Sequence, residues 1–158
     1  DTNTKIRTLY CNTTLPEVLL GPINPSLTSH NGRNMNLPPI STASLHDYMS
    51  WLARLAELLS NQEKQDGAVL ACSALKERYR ERLSGTLSTP VTWIVLTGSA
   101  ALLSSRLSNR KGHFFDARLL ENQLATLEMP AYGLHIDVDA PIDAVVSQAV
   151  SYIQQVNH

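Results

Sequence analysis

Residues 68–80 hold the feature that most constrains this chain, a strand pattern that turns directly into a helix pattern. Ala68-Val69-Leu70-Ala71-Cys72 is an unbroken run of small and β-branched apolar residues, as in a strand covered on both faces. At Ser73 the spacing changes. Leu75, Tyr79 and Leu83 recur at i, i+4 and i+8, the period of an amphipathic helix over 74–84. Ser73 is the candidate N-cap, because its hydroxyl can accept a bond from a first-turn N–H. Such a unit belongs to a parallel sheet, and parallel sheets bind ligands beyond the carboxyl ends of their strands. Lys76 stands just past that end and sets a cation beside the crevice.

The same alternation continues to the C-terminus. Strands are expected at 68–72, 92–97 and 134–139, and helices at 44–60, 74–84, 99–108, 116–127 and 142–156. Ser44 and Asp116 are candidate caps, Gly85 is a stop, and Pro141 opens the last helix. Alternating strands and helices predict a three-layer α/β fold, a parallel sheet with helices on both faces. With 158 residues, the chain reads as one domain, 1–158. Residues 1–43 differ from the rest. Asn24-Pro25, Asn31-Gly32 and Pro38-Pro39 mark successive turns, and only 15–20 has the make-up of a short strand. This N-terminal part is expected to be loop-rich and irregular.

Composition sets outer limits. The net charge of −1 gives no reason to expect nucleic acid or an anionic membrane as partner. No apolar run approaches the ~20 residues of a membrane span, and no signal-peptide pattern opens the sequence. Cys11 and Cys72 lie far apart in sequence, which favours a reduced pair and the cytoplasm as default compartment.

The strongest chemical signal is a basic group: Arg106, Arg110, Lys111 and His113. Phosphoryl transfer is catalysed largely by placing cations around charged oxygens, and arginine engages those oxygens in pairs. Arg106 and Arg110, four apart, can share a helix face, with Gly112 just beyond as a flexible point. The alternative is a solvated basic helix end, favoured by the helix dipole. Lys76 either pairs with Glu77 or Glu63 at the surface or meets an anion at the strand end, and its position favours the second.

Four short motifs in order carry a resemblance. They are Cys72-Ser73-Ala74-Leu75-Lys76 with Arg78-Tyr79-Arg80; Arg106-Leu107 with Arg110-Lys111-Gly112-His113-Phe114-Phe115; Leu120, Gln123, Thr126-Leu127-Glu128 and Pro130; and Val138-Asp139. From about residue 51 onward the chain resembles the gluconokinase family of small P-loop kinases. The resemblance implies a nucleoside-monophosphate-kinase-like sheet and ATP-dependent phosphorylation of D-gluconate to 6-phospho-D-gluconate, with Mg²⁺. It implies a lid near 106–127, in which Arg106 and Arg110 act on the phosphoryl group. Lys76, His113 and Gln123 become substrate-side candidates. Arg106, Arg110, Lys111 and the Asp139-Ala140-Pro141 turn become nucleotide-side candidates, the turn bordering the base. For Gln123 a solvent-facing helical position stays open, and for Asp139 and Pro141 a plain cap with a first-turn proline. A homodimer is compatible with this reading.

The resemblance breaks near the N-terminus. The family's GxxxxGK[ST] loop cradles phosphate with backbone N–H groups, and no such motif occurs in this sequence. Counting back at family spacing puts it near residues 2–9, which lack glycine, with its strand ahead of Asp1. The acidic DGD cluster is also missing: Pro25 and Leu27 stand where it would be. The family's first strand is central, so 15–20 is expected to fill its slot between 68–72 and 92–97. A non-catalytic remnant, or a binding or partner module of the same fold, is the alternative function.

Overall fold

In the computed structural model, residues 8–12, 17–22, 33–36, 45–65, 67–109 and 117–156 are described, and their strands form one six-stranded sheet. In chain order the elements are β1 (Thr8–Asn12), β2 (Glu17–Pro22), β3 (Arg33–Asn36), α1 (Leu45–Glu63), β4 (Ala68–Cys72), α2 (Glu77–Ser84), β5 (Thr92–Thr97), α3 (Ala100–Ser108), α4 (Ala117–Thr126), β6 (Leu134–Asp137) and α5 (Ile142–Val156). Across the sheet the order is β3-β2-β4-β1-β5-β6. β4, β1, β5 and β6 are parallel, while β2 and β3 run antiparallel at one edge.

Successive side chains of a strand face opposite ways, and β5 sorts the two cores accordingly. Val95 joins Leu52, Leu55, Leu70, Cys72 and Leu83 in a core between the sheet and the α1–α2 pair. Ile94 joins Ile136 and Ala149 in a second core under α5. Helices therefore cover both faces, as the alternation predicts. Each fully buried leucine in the larger core contributes on the order of 1.5–3 kcal/mol relative to exposure.

Two N-terminal expectations need correction. The central slot is filled by Thr8–Asn12, neither by 15–20 nor by a strand ahead of Asp1. β1 pairs with β4 from Thr8↔Val69 to Cys11↔Cys72, and with β5 from Thr8↔Thr92 to Asn12↔Leu96. Thr-Leu-Tyr-Cys has the β-branched and aromatic make-up a strand favours, although its polar flanks disguise it in the sequence. The segment expected in that slot pairs instead with the far edge of β4, with Leu19↔Ala71 and Leu20↔Leu70 in register. Connection length gives the reason. Only residues 13–16 separate β1 from β2, and a parallel crossover needs a dozen or more. β2 must therefore turn back, and it does. The pairing also makes Cys11 the register partner of Cys72, so the two cysteines are distant in sequence but adjacent in the sheet.

At the end of α1 a buried carboxylate holds the chain that leads into β5. Glu63 is 5% exposed, and it accepts bonds from the Ser88 and Thr89 N–H groups at 2.9–3.0 Å and from both hydroxyls. A carboxylate at a helix C-terminus is opposed by the dipole, and these four donors work against that cost. Glu63→Ala is expected to lower the free energy of unfolding by about 2 kcal/mol. A urea titration with an unchanged midpoint would contradict this.

Candidate functional site

The carboxyl end of β4 is where the sequence places its chemistry, and the turn there is more constrained than periodicity suggests. α2 begins at Glu77, three residues later than expected from a start at 74. Ala74 takes φ 32, a left-handed value disfavoured for a side-chain-bearing residue, and Lys76 is extended at φ −105, ψ 150. Ser73, expected as N-cap, is buried ahead of this turn, and Lys76 occupies the cap position without a side-chain capping bond. The cap comes from elsewhere in the chain. A Glu128 carboxylate oxygen accepts the Glu77 N–H at 2.8 Å, and the Glu128 N–H donates to the Leu75 carbonyl at 2.8 Å. Negative charge at a helix N-terminus is favourable, so this arrangement serves α2 as a serine cap would.

Arg80 organises the turn, although in the sequence it stands out only as part of the family motif. It is 1% exposed. Its Nη1 donates to the carbonyls of Ala74 (2.7 Å) and Leu75 (3.3 Å). Its Nη2 donates to Glu77 Oε2 and to the Glu128 carbonyl, both at 2.7 Å, and its Nε reaches Tyr132 Oη at 3.0 Å and Glu77 Oε2 at 3.2 Å. Tyr132 in turn donates to Glu77 Oε1 at 2.7 Å. The hydrogen bond from Arg80, then that from Tyr132, holds the Glu77 carboxyl below its ordinary range. Burial works against the charge of Arg80, but its bonds to Glu77 and Tyr132 outweigh it and raise its pKa overall. Burial, then the bond to Glu77, pushes the Tyr132 phenol up.

Lys76 is half-buried on this turn. The surface pairings considered for it are taken up otherwise: Glu77 serves Arg80 and Tyr132, and Glu63 serves Ser88 and Thr89. Gln123 lies on α4 one turn before the point where the chain meets Leu75, and at 8% exposure it is not a solvent-facing glutamine. Arg106 is exposed in the last turn of α3, whose N-terminus is capped by Ser99 through the Leu102 N–H. Arg110, Lys111 and His113, with the expected lid loop 109–115 beyond Asn109, lie outside the described residues.

At the far end of the crevice, β6 stops at Asp137, two residues short of expectation, and 138–141 forms the turn into α5. The Asp139 N–H donates to Asp137 Oδ1 at 2.9 Å, and the Pro141 carbonyl accepts the first helical bonds from Ala144 and Val145. The Val138 N–H reaches the Thr97 carbonyl at 2.8 Å, which draws the Asp139-Ala140-Pro141 turn beside the β5–α3 turn. Lys76 and this turn thus share the carboxyl edge of the sheet.

The link after β1 does not fit a backbone phosphate cradle. The GxxxxGK[ST] loop and its helix would run from that strand, but residues 13–16 alone lead into β2, and they read Thr-Thr-Leu-Pro. None is glycine or lysine, and Pro16 has no N–H to offer. Among the described residues no group of three His, Cys, Asp or Glu could hold a metal ion, and no helix is long and apolar enough to cross a membrane. A cavity of about 670 Å³ opens between α2 and α5 near Trp93, Tyr132 and Tyr152. It reaches the amino ends of β5 and β6, and its Arg80, Glu77 and Tyr132 are already bonded to one another.

No family profile matches the chain. Individual proteins do. It is 37% identical over 123 residues to the probable gluconokinase of Dictyostelium discoideum, an alignment covering 68% of this chain and 60% of that protein. It is 38% identical over 112 residues to the gluconokinase of Gluconobacter oxydans, covering 68% and 62%. The probable gluconokinase of Rattus norvegicus is 30% identical over 129 residues, with 68% of this chain and 70% of that protein aligned. The chain therefore spans about 60% of the length of the first two relatives. A crystal structure of a gluconokinase from Sinorhizobium meliloti superposes with a TM-score of 0.64 at 29% identity, over 76% of this chain and 73% of the other. An unliganded sugar kinase from a Janibacter species gives 0.64 at 32% identity, over 71% and 66%. The α/β fold is that of the P-loop sugar kinases, and sequence and architecture agree that the chain belongs to the gluconokinase family.

Proposed function

We propose that the chain is a gluconokinase-like domain: it takes D-gluconate at the carboxyl edge of its sheet, with ATP-dependent phosphorylation to 6-phospho-D-gluconate as its reaction. The observation that carries this reading is Lys76, held at the end of β4 on a turn bonded by Arg80 and Glu128, with the adjacent Glu77 carboxylate committed to Arg80 and Tyr132. An ammonium so placed can meet the carboxylate of a sugar acid. Gln123 offers an amide to its hydroxyls, and His113 is a further substrate-side candidate. On the phosphate side the candidates are Arg106, Arg110 and Lys111, with the Asp139-Ala140-Pro141 turn beside the base. ATP with Mg²⁺ would supply the transferred phosphoryl group, and the cytoplasm is the compartment this reading favours.

A second reading, a gluconate-binding module without turnover, is favoured by one observation. Four residues and no glycine separate β1 from β2 where the phosphate cradle would stand. Loss of a single preorganised anion donor costs ~10²–10³ in rate, and here the whole cradle is missing. Calorimetry with gluconate and a coupled assay with MgATP separate the two readings. Binding with turnover supports the kinase, binding without turnover supports the module, and no binding overturns both. Lys76→Met is expected to weaken gluconate binding about 10- to 100-fold, as loss of a charge-assisted bond should. Unchanged affinity would remove Lys76 from the site.

A further inference from the structure

The turn that carries Lys76 is held from outside itself. Ala74 is in a strained conformation, and Lys76 at the cap position makes no side-chain bond to α2. The carbonyls of Ala74 and Leu75 are held by the guanidinium of Arg80, one turn into α2. The same guanidinium bonds the Glu128 carbonyl, 48 residues away, and Tyr132, 52 residues away. Both lie on the connection that leads from α4, the helix bearing Gln123, to β6. The Glu128 N–H and carboxylate close the arrangement onto Leu75 and Glu77. One buried side chain, together with these two Glu128 bonds, therefore ties the segment carrying Lys76 to the segment carrying Gln123. Six contacts converge on its five N–H donors, a planar demand that lysine cannot meet from one point.

We propose that Arg80 is a positioning residue for the sugar-acid site: it sets Lys76 and Gln123 at a fixed separation by clamping the β4–α2 turn to the α4–β6 connection. The inference rests on the reading that Lys76 meets gluconate. Arg80 itself touches no ligand.

The test compares the full chain with Arg80→Lys and with Glu63→Gln, a control that weakens the fold through a bond network outside the clamp. Gluconate affinity is read by calorimetry, and amide hydrogen exchange is read at Glu77 and Glu128. Arg80→Lys is expected to weaken gluconate binding about tenfold, which corresponds to ~1.4 kcal/mol. It should also speed exchange at both amides together. Glu63→Gln should lower the melting temperature, leave gluconate affinity within about twofold and leave those amides unchanged. Wild-type affinity in Arg80→Lys overturns the proposal, and so does equal weakening in Glu63→Gln, which would make the role merely structural. If the unaltered chain binds no gluconate, the substrate reading falls. The exchange arm then decides alone, since unchanged protection of Glu77 and Glu128 in Arg80→Lys would show that no clamp exists.

Discussion

Replacing Arg80 by methionine is expected to lower the free energy of unfolding by about 3 kcal/mol, because three carbonyls lose a buried or part-buried donor and Glu77 loses its charged partner, keeping only the Tyr132 hydroxyl. Methionine fills much of the same volume, so lost packing contributes little to the drop. The exposed side of the pair matters less. Glu77 keeps 42% of its side chain in solvent, and water can replace part of what it loses. The substitution should also alter the acid limb of stability. The carboxyl of Glu77 is held below its ordinary value of 4.5, so the stability it contributes is complete above that value and lost as pH falls through the folded-state value. The raised phenol of Tyr132 acts at the other end, where its contribution is lost as pH rises above 10. Urea midpoints at pH 7 and pH 3 test the point. The wild-type chain should lose more on acidification than Arg80→Met, and equal losses would show that the pair does not set the acid limb.

Arg80 also marks the boundary of what the sequence could reveal. β4, β5 and α5 are legible because each is a local pattern: an apolar run, a second run, and a 3.6-residue stripe opened by a proline. The start of α2 is not, since the spacing of Leu75, Tyr79 and Leu83 continues through a turn whose backbone is not helical. What interrupts the helix is a set of bonds to residues about 50 positions away, and no window of sequence contains them. The central strand is hidden for a related reason. Residues 17–20 look more apolar than 8–12, but the short link between them decides which can lie parallel to β4. Among the site candidates, Lys76 stands where the strand-end rule puts it. Gln123 is buried because α4 packs its Leu120–Gln123 face inward, which polarity alone argues against. The signal that could have exposed Arg80 is its spacing: an arginine among the apolar positions of an amphipathic helix, three residues after a glutamate, is placed to be buried and paired.

Gly133→Val is expected to destabilise the chain by about 3 kcal/mol, by forcing a β-branched residue into a conformation that costs it ~1–3 kcal/mol before any contact is counted. Gly133 sits at φ 81, directly before β6 and directly after Tyr132. A Cβ there would lie 2.7 Å from the Trp93 carbonyl oxygen and 2.8 Å from the Trp93 Cβ. Neither neighbour can yield easily, since Trp93 is in β5 and pairs through its backbone with Leu9 of β1. The chain at 133 must therefore move, and Tyr132 moves with it. Tyr132 packs edge-on against the Trp93 ring, with centroids 5.8 Å apart, and donates to Glu77, so the displacement reaches the Arg80 clamp. The variant should thus show two coupled effects: a lower melting temperature, and faster exchange of the Glu77 and Glu128 amides. Gly133→Ala should show the same pair at smaller amplitude, because alanine meets the same contacts without the β-branch. If Gly133→Val loses stability while the two amides keep their protection, β6 entry and the clamp are independent, and Tyr132 does not link them.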